Sequence, residues 1–458
     1  MKQLGIVGQS VRRTDGIGHV TGTTRYVDDV FYPNMLWLKM VRSPVARGII
    51  HSVDTSQAEA FPGVAAVITA RDVPNNWYTI LGLIGIGPND EPVLADSEVM
   101  YEGEPICAIV AESEEIACEA ASLVRVEIEE QEPVLDLEYA LSPQAPAIKK
   151  WGNNTYMYDG MDHRQVRFGN IEAAFAQADH IIEGSYQMSP IEHVPMETHV
   201  CVVNPEGDGR LTVHTNTQAL YFSLDNTAII LKMPTHRLHF IGGTVGGGFG
   251  GKVDVITEPI TCIAAMKTGR AVKWRWTREE EFRRSSTRAG AKIEFRDAVM
   301  NDGRIIGRKV RSLQDAGAYH RHSPYGLQKH MANVAGPYNI PNVWIDAYCV
   351  YTNRQPASAM RGFGVTEASF AVEVQMEKIA RTIGIDSWEI RMVNAYRNGQ
   401  MRAIRKVVED ATLVETIKAA ADLVGYELPA HLRAMHSNDY IREDNDQSHG
   451  EGAPRHDR

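Results

Sequence analysis

Apolar residues recur along this chain with three spacings, and each predicts a different element. The unbroken apolar run at 106–111 (ICAIVA) predicts a strand buried on both faces, and 36–42 and 64–68 read as further strands. Ser113 then stands as an N-cap, and Ile116, Ala120 and Leu123 share one face of the helix that follows. Val124, Val126 and Ile128 alternate with charged residues, the period-2 pattern of a half-exposed strand. Pro62-Gly63 and Gly87-Pro88 punctuate this unit. From 141 to 166 no period survives, and Pro143, Pro146, Gly152, Asn153, Asn154 and Gly160 mark a connector. Asn170 caps a short helix with Ile171, Ala174, Phe175 and Ala178 inward. Strand-like stretches follow at 211–215, 238–241, 272–277 and 292–296. The spacing of Val372, Met376, Ile379 and Ile383 predicts a helix over 366–383. Thr412 and Glu415 predict a capping box for a last helix, with Leu413, Ile417, Ala420 and Val424 inward and Gly425 as its stop. Beyond Leu432 the chain is polar, which predicts a disordered tail. The organisation read from these patterns is mixed α/β: a unit over 1–140, a connector over 141–166, a larger unit over 167–431 and the tail over 432–458.

Composition narrows the function classes. Of 458 residues, 43% are hydrophobic and 23% charged, as in ordinary globular proteins. Lys and Arg number 47 against 58 Asp and Glu, a net charge of −11 that argues against a nucleic-acid partner. No apolar run is long enough for a membrane span, and the start MKQLGIVGQSVRRTDG lacks the apolar stretch of a signal peptide; both favour the cytoplasm. Cys107, Cys118, Cys201, Cys262 and Cys349 form no CxxC and no cluster with His at metal spacing. Cys107 and Cys262 are expected as reduced core residues, and an iron–sulfur cluster or structural zinc is not expected on this chain.

The segment 244–252, TVGGGFGGK, sets five glycines around Phe249. So much backbone freedom is spent where the main chain bends sharply or approaches something closely. Clustered N–H groups make that something an anion. Gly246, Gly248 and Gly251 fit the dinucleotide fingerprint, but Ala271 stands where the acidic residue is needed. Gly246, Gly251 and Lys252 fit most of a P-loop, but Val253 replaces the Mg²⁺-binding hydroxyl. A tight loop holding a cofactor of another kind, and a plain structural turn, are the remaining readings. A second glycine loop, Arg361-Gly362-Phe363-Gly364, runs into the helix opened by Thr366, where free N–H groups and an arginine attract anions.

These motifs carry a resemblance. RRTDGIGHVTGTTRYVDDV and YEGEPICAIVAES are similar to the small a/b hammerhead domain of the xanthine dehydrogenase/aldehyde oxidase family of molybdenum hydroxylases. NTQ ending at Gln218, GGGFGGK, YTNRQPASAMRGFG and DSWEIRMVNAYRNG resemble the first part of that family's molybdopterin-binding region. The resemblance implies that Gln218 bonds the apical molybdenum oxygen and that Gly248, Phe249 and Gly250 form the loop under the metal. It implies that Ala359 and Arg361 line the cofactor, and that Phe363 stacks on substrate. The resemblance further implies that the metal is held by the pterin and by no side chain of the protein.

The chain also departs from the family pattern. The family's later part, with further pterin contacts and a catalytic glutamate, has no counterpart here, and none of Glu192, Glu197, Glu258 or Glu367 matches that glutamate. The resemblance therefore implies half of a divided cofactor subunit, similar to the larger molybdenum subunit of split nicotinate dehydrogenases. A second molybdopterin-binding chain would supply the base, and 2Fe-2S and FAD subunits would take the electrons. Whether the pterin carries a cytosine dinucleotide is open. Val253 stands where xanthine oxidisers place a glutamate, and Pro324 aligns with their substrate arginine, so a purine would lack two polar partners. His320, Arg321, His322 and Tyr325 offer groups for a carboxylate or ring nitrogen, against the simpler reading of a polar loop. Arg275, Arg278, Arg283, Arg284 and Arg288 among Glu279 to Glu281 read as a salt-bridged surface. The expected activity is hydroxylation of a nicotinate-like or purine-like N-heterocycle. Alternatives are dehydrogenation of an aldehyde or aromatic acyl thioester, or a non-catalytic scaffold.

Overall fold

The computed structural model describes residues 5–439. Strands Leu36–Arg42, Val64–Ile68 and Pro105–Ala111 form where the apolar runs place them. Ser113 accepts the Ile116 N–H as N-cap of the helix Glu114–Ala121, and Asn170 accepts the Ala173 N–H as N-cap of Ile171–Gln177. The strand Arg125–Glu130 is half-exposed, as its alternation predicts.

One seven-stranded sheet runs through both units of the chain. Its order is Leu238–Gly242, Leu211–Thr215, Val200–Pro205, Val272–Arg275, Leu36–Arg42, Pro105–Ala111 and Val64–Ile68. The join is a parallel pairing that sets Leu36 opposite Val272. Strands from both units bury Leu36, Leu38, Val110, Val203, Val213 and Trp274 in one core with Ile260 and Ile263 of the helix Glu258–Thr268. The inner strands are covered on both faces, which is why 106–111 reads as unbroken apolar sequence.

A second, five-stranded sheet is ordered His180–Met188, Ala291–Val299, Ile305–Gly317, Val343–Tyr351 and Arg164–Phe168. The helix Thr366–Ile383 lays Val372, Met376 and Ile379 on this sheet's core, with Ile383 half-buried at its end. Beneath the helix lies a fully buried ion pair. Arg308 Nε and Nη2 reach Asp297 Oδ1 and Oδ2 at 2.7 and 3.1 Å, and Gln375 Nε2 donates to Oδ2 at 2.8 Å. Such a pair is tolerated because its geometry is bidentate and its remaining valences are met.

Three local expectations change. The segment 141–166 is packed: Ile148, Tyr156 and Tyr158 enter the second sheet's core, and Lys149 is buried 3.4 Å from Asp90 and 4.3 Å over the Tyr319 ring. Isolated anchors of this kind leave no period in the sequence. The last helix, Leu413–Val424, ends at Gly425 as predicted, but Thr412 does not cap it. Glu415 turns away to accept the Ser437 N–H at 2.9 Å and the Ser437 hydroxyl. Its inward stripe is Val414, Ile417 and Ala421, packed on Met392, Leu428 and Leu432, so the expected stripe is rotated and Val424 is 73% exposed. The short helix Ala430–Ala434, with Leu432 buried, carries structure past the expected start of the tail. The rest of that expectation, 440–458, lies outside the described residues.

Polar contacts also hold the two units together. Buried Glu104 of the first unit accepts the Met100 N–H at 2.5 Å and the Tyr319 hydroxyl of the second unit. Burial pushes its carboxyl up to about 7. The folded value lies above the unfolded one, so the protonated acid contributes stability that is full at low pH and is lost as pH rises through about 7. The stability advantage of the native chain over Glu104→Gln is therefore expected to fall between about pH 5 and about pH 8. Denaturant melts across that range check this, and a pH-independent difference contradicts it.

Candidate cofactor site

The first glycine loop leaves the strand Leu238–Gly242 and turns through positive φ at Gly247 (99°), Phe249 (52°) and Gly250 (106°). The left-handed backbone at an aromatic residue costs on the order of 1–3 kcal/mol and persists only where the surroundings impose it. Gln218, just before the helix Leu220–Leu231, imposes part of it. Its Oε1 accepts the N–H groups of Gly250 at 2.9 Å and Lys252 at 3.3 Å, and its own N–H donates to the Lys252 carbonyl at 2.7 Å. A Cβ at Gly248 would stand 2.4 Å from Gln218 Oε1 and would push that side chain out of its place. From the other side, Glu197 accepts the Gly246 N–H at 2.7 Å and pairs with buried Lys252 at 2.9 Å. Burial pulls the Lys252 ammonium down from its ordinary range, and Glu197 opposes that shift.

The second loop closes on the first. The Arg361 N–H donates to the Phe249 carbonyl at 2.8 Å. A Cβ at Gly250 would fall 2.5 Å from the Ala359 carbonyl oxygen. His193 Nε2 donates to that same oxygen at 2.8 Å, with its ring against Gly251. Burial pushes the His193 imidazole down, so the neutral ring with its proton on Nε2 is the donor. Gln218, Gly248, Phe249, Gly250, Ala359 and Arg361 are thereby brought into one patch, although the two loops are more than a hundred residues apart in sequence. Gln218, Phe249 and Arg361 are exposed on it. Among the described residues, Gln218 Nε2 makes no hydrogen bond and the Arg361 guanidinium makes no ion pair. Phe363 is half-buried, its ring 6.0 Å from that of Tyr325, and a Cβ at Gly326 would meet it at 2.7 Å. Val253 is half-buried, and its N–H donates to the Gly250 carbonyl at 3.2 Å.

Other candidates turn out to be structural. The His-Arg-His segment is not a surface polar loop: all three side chains are buried. Arg321 reaches Glu91 at 2.6 Å and Asp254 at 3.2 Å, His322 meets Asp254 at 3.0 Å, and His320 meets Asp90 at 2.8 Å. Acids from both units are thus drawn onto one turn. The arginine stretch is only partly a surface. Arg275 pairs with Asp28 and Glu114, but Arg288 is buried 3.5 Å from Glu367, and Glu281 is buried 2.9 Å from His199. Glu192 accepts from Ser285, and Glu258 from Thr215 and Ser223. His193 and Glu197, which brace the loops, follow no spacing rule in the sequence. Among the described residues no group of three or more His, Cys, Asp or Glu is arranged to hold a metal ion.

Comparisons with known proteins decide the family. The model of the molybdopterin cofactor-binding domain matches residues 151–395, and that of the aldehyde oxidase and xanthine dehydrogenase a/b hammerhead domain matches residues 21–132. The chain belongs to the xanthine dehydrogenase/aldehyde oxidase family of molybdenum hydroxylases. It is 32% identical to the nicotinate dehydrogenase large molybdopterin subunit of Eubacterium barkeri, over 93% of this chain and 99% of that one. It is also 32% identical to the xanthine dehydrogenase molybdenum-binding subunit of Escherichia coli, over 91% of this chain but 55% of that one. The fold matches the aldehyde oxidoreductase of Desulfovibrio gigas with a TM-score of 0.84 and 29% identity, covering 91% of this chain and 47% of that one. Quinoline 2-oxidoreductase of Pseudomonas putida 86 matches with a TM-score of 0.84 and 28% identity, covering 91% of this chain and 54% of that one. The chain therefore spans nearly the whole of one relative and about half of the others.

Within this family member, closure of the two loops rests on the missing side chain at 250. Gly250→Ala forces a Cβ against the Ala359 carbonyl in a backbone region that alanine avoids, at a cost on the order of 1–3 kcal/mol. Hydrogen exchange at the Arg361 amide is expected to accelerate markedly, while amides of the helix Thr366–Ile383 beyond its first turn stay protected. Unchanged protection at Arg361 would show that the loops do not depend on that contact.

Proposed function

We propose that this chain is one half of a divided molybdenum hydroxylase subunit, acting in a cytoplasmic complex on an aromatic N-heterocycle. One observation carries the reading. Two donors left uncommitted among the described residues, Gln218 Nε2 beside the first glycine loop and the Arg361 guanidinium on the second, stand exposed where the loops are fastened to each other by the Arg361 N–H and the Phe249 carbonyl. The loops fit a flat, anionic group. Gly248 and Gly250 leave no side chain in its way, Gln218 keeps a donor pointing outward because its oxygen is engaged twice, and Arg361 supplies a positive charge with no acid of its own. When bound, the molybdenum pterin supplies the redox chemistry by which oxygen from water enters the substrate. This chain's residues do the holding: Gln218 orients the group by a hydrogen bond, Gly248, Phe249 and Gly250 form its floor, and Ala359 and Arg361 form its edge. Phe363, with Tyr325 beside it, gives an aromatic wall for a planar ring.

A catalytic glutamate belongs in this reading to a second molybdopterin-binding chain, because buried Glu258 and Glu367 and loop-bracing Glu197 are committed to internal bonds. The near end-to-end match to a large molybdopterin subunit supports the division, and its name supports a nicotinate-like ring. Val253 adds no charge to the substrate side, which favours a ring that asks for fewer polar partners than an oxidised purine. Electrons would leave through 2Fe-2S and FAD subunits; whether the pterin carries a cytosine dinucleotide does not affect this assignment.

Co-expression with the second chain tests the reading. Molybdenum is expected in the purified complex and absent from this chain alone, with iron following the 2Fe-2S subunit. A redox-dye screen should favour N-heterocycles over aldehydes. Gln218→Glu keeps the oxygen that holds the loop and removes the outward donor, so turnover should fall by about 10²-fold with metal content kept. Stoichiometric molybdenum on the isolated chain would sink the divided site.

A further inference from the structure

A small cavity lies where the two units meet, and no residue of the glycine loops lines it. Its volume is about 40 Å³, and its wall includes Arg42 and Tyr101 from the first unit and Trp274, Trp276 and Arg284 from the second. One water needs roughly 10–15 Å³ on the same scale, so the space is larger than a single water requires.

The polar atoms of this wall are matched in one sense only. Arg42 Nη1 donates to the Gly103 carbonyl at 3.1 Å, but Arg42 Nε and Nη2 are buried with no partner among the described residues. Trp274 Nε1 and Trp276 Nε1 are also buried with no partner among those residues. Four N–H donors are thus left unmet on three residues of one cavity. None of the buried side-chain acceptors left without a partner among the described residues belongs to its wall. Buried donors without acceptors are uncommon, and each calls for an explanation. The Arg42 guanidinium lies 5.0 Å over the Trp276 ring and 5.9 Å over that of Trp274. The ring faces offset part of its burial, but they leave both indole N–H groups unanswered.

Charge points the same way. Arg42, Arg284 and Arg321 line the cavity against a single wall carboxylate, Glu91. Glu91 is held at 2.6 Å by Arg321, which also pairs with Asp254 at 3.2 Å. Arg284 stands 3.7 Å from Glu102, its ion-pair partner. Burial pushes the Arg42 guanidinium down to about 10, with Glu280 opposing the shift, so it stays cationic at neutral pH. For its own two hydrogens a water would find on this wall the Glu91 carboxylate, already held by Arg321, and tyrosine hydroxyls. An anion only accepts and donates nothing.

We infer that this cavity binds a small monovalent inorganic anion of about chloride size. The anion takes its bonds from Arg42 at the end of the strand Leu36–Arg42 and from the two indoles on and beside Val272–Arg275. These strands are neighbours in the sheet that joins the units, so the anion pins the first unit to the second.

Crystals of the full chain, or of its complex, soaked in sodium bromide should show an anomalous peak in the cavity beside Arg42. In solution, exchanging gluconate, which is too large to enter, for bromide or chloride at fixed ionic strength should raise the melting temperature saturably. Arg42→Met should lose both the peak and the salt-specific shift. If that variant does not fold, the bromide map and the salt exchange on the native chain decide. A refined water with no anomalous signal overturns the inference. So does a peak seen only at soaking concentration with identical melting in the two salts, which would mark an adventitious ion only.

Discussion

A backbone hydrogen bond from the Arg361 N–H to the Phe249 carbonyl ties the two loops of the candidate site directly to each other. The chain comes very close to itself there: a Cβ on Gly250 would lie 2.5 Å from the Ala359 backbone oxygen, and one on Gly248 would press on the Gln218 side chain at 2.4 Å. The glycines are therefore required by contacts within the protein before any ligand is considered. The same contacts hold Phe249 in a left-handed backbone and leave Gln218 and Arg361 facing outward. Strain, close approach and uncommitted donors in one place are the features expected of a binding surface.

Around that bond the molecule is joined by polar groups as much as by apolar ones. Arg321 gathers Glu91 from the first unit and Asp254 from the turn after the glycine loop, while Lys149 and His320 share Asp90. Burying such charges costs desolvation that their attraction only partly offsets. What they contribute is geometry: an ion held by two or three directional partners fixes the relative position of segments that an apolar contact would let slide. Two braces of the glycine loops, Lys252 with Glu197 and His193 with Ala359, work on the same principle.

The seven-stranded sheet gives these clusters a rigid frame. Because Leu36–Arg42 pairs with Val272–Arg275, the hammerhead unit extends the cofactor region's own sheet instead of hanging from a linker. The segment between the units is packed despite its proline and glycine content: it runs into Arg164–Phe168, an edge strand of the second sheet, and Ile148, Tyr156 and Tyr158 fill that sheet's core on the way.

The elements with a repeating apolar period were legible in the sequence. The strands Leu36–Arg42, Val64–Ile68 and Leu211–Thr215 and the helix Thr366–Ile383 have the bounds their patterns predict, because side-chain spacing and one buried face are local properties. The glycine-loop motifs and the family were legible too, since close backbone approach leaves glycine as its trace. Whatever depended on a partner outside the element itself was not. The last helix turned its stripe towards Leu428 and Leu432, Glu415 left its expected cap for Ser437, and the His-Arg-His turn was buried by acids from far along the chain. By itself the sequence determined which segments become strands and helices and where the backbone must be bare. Tertiary structure decided which face of an element is covered and which charge is paired, because a residue's neighbours across space leave no period in the sequence around it.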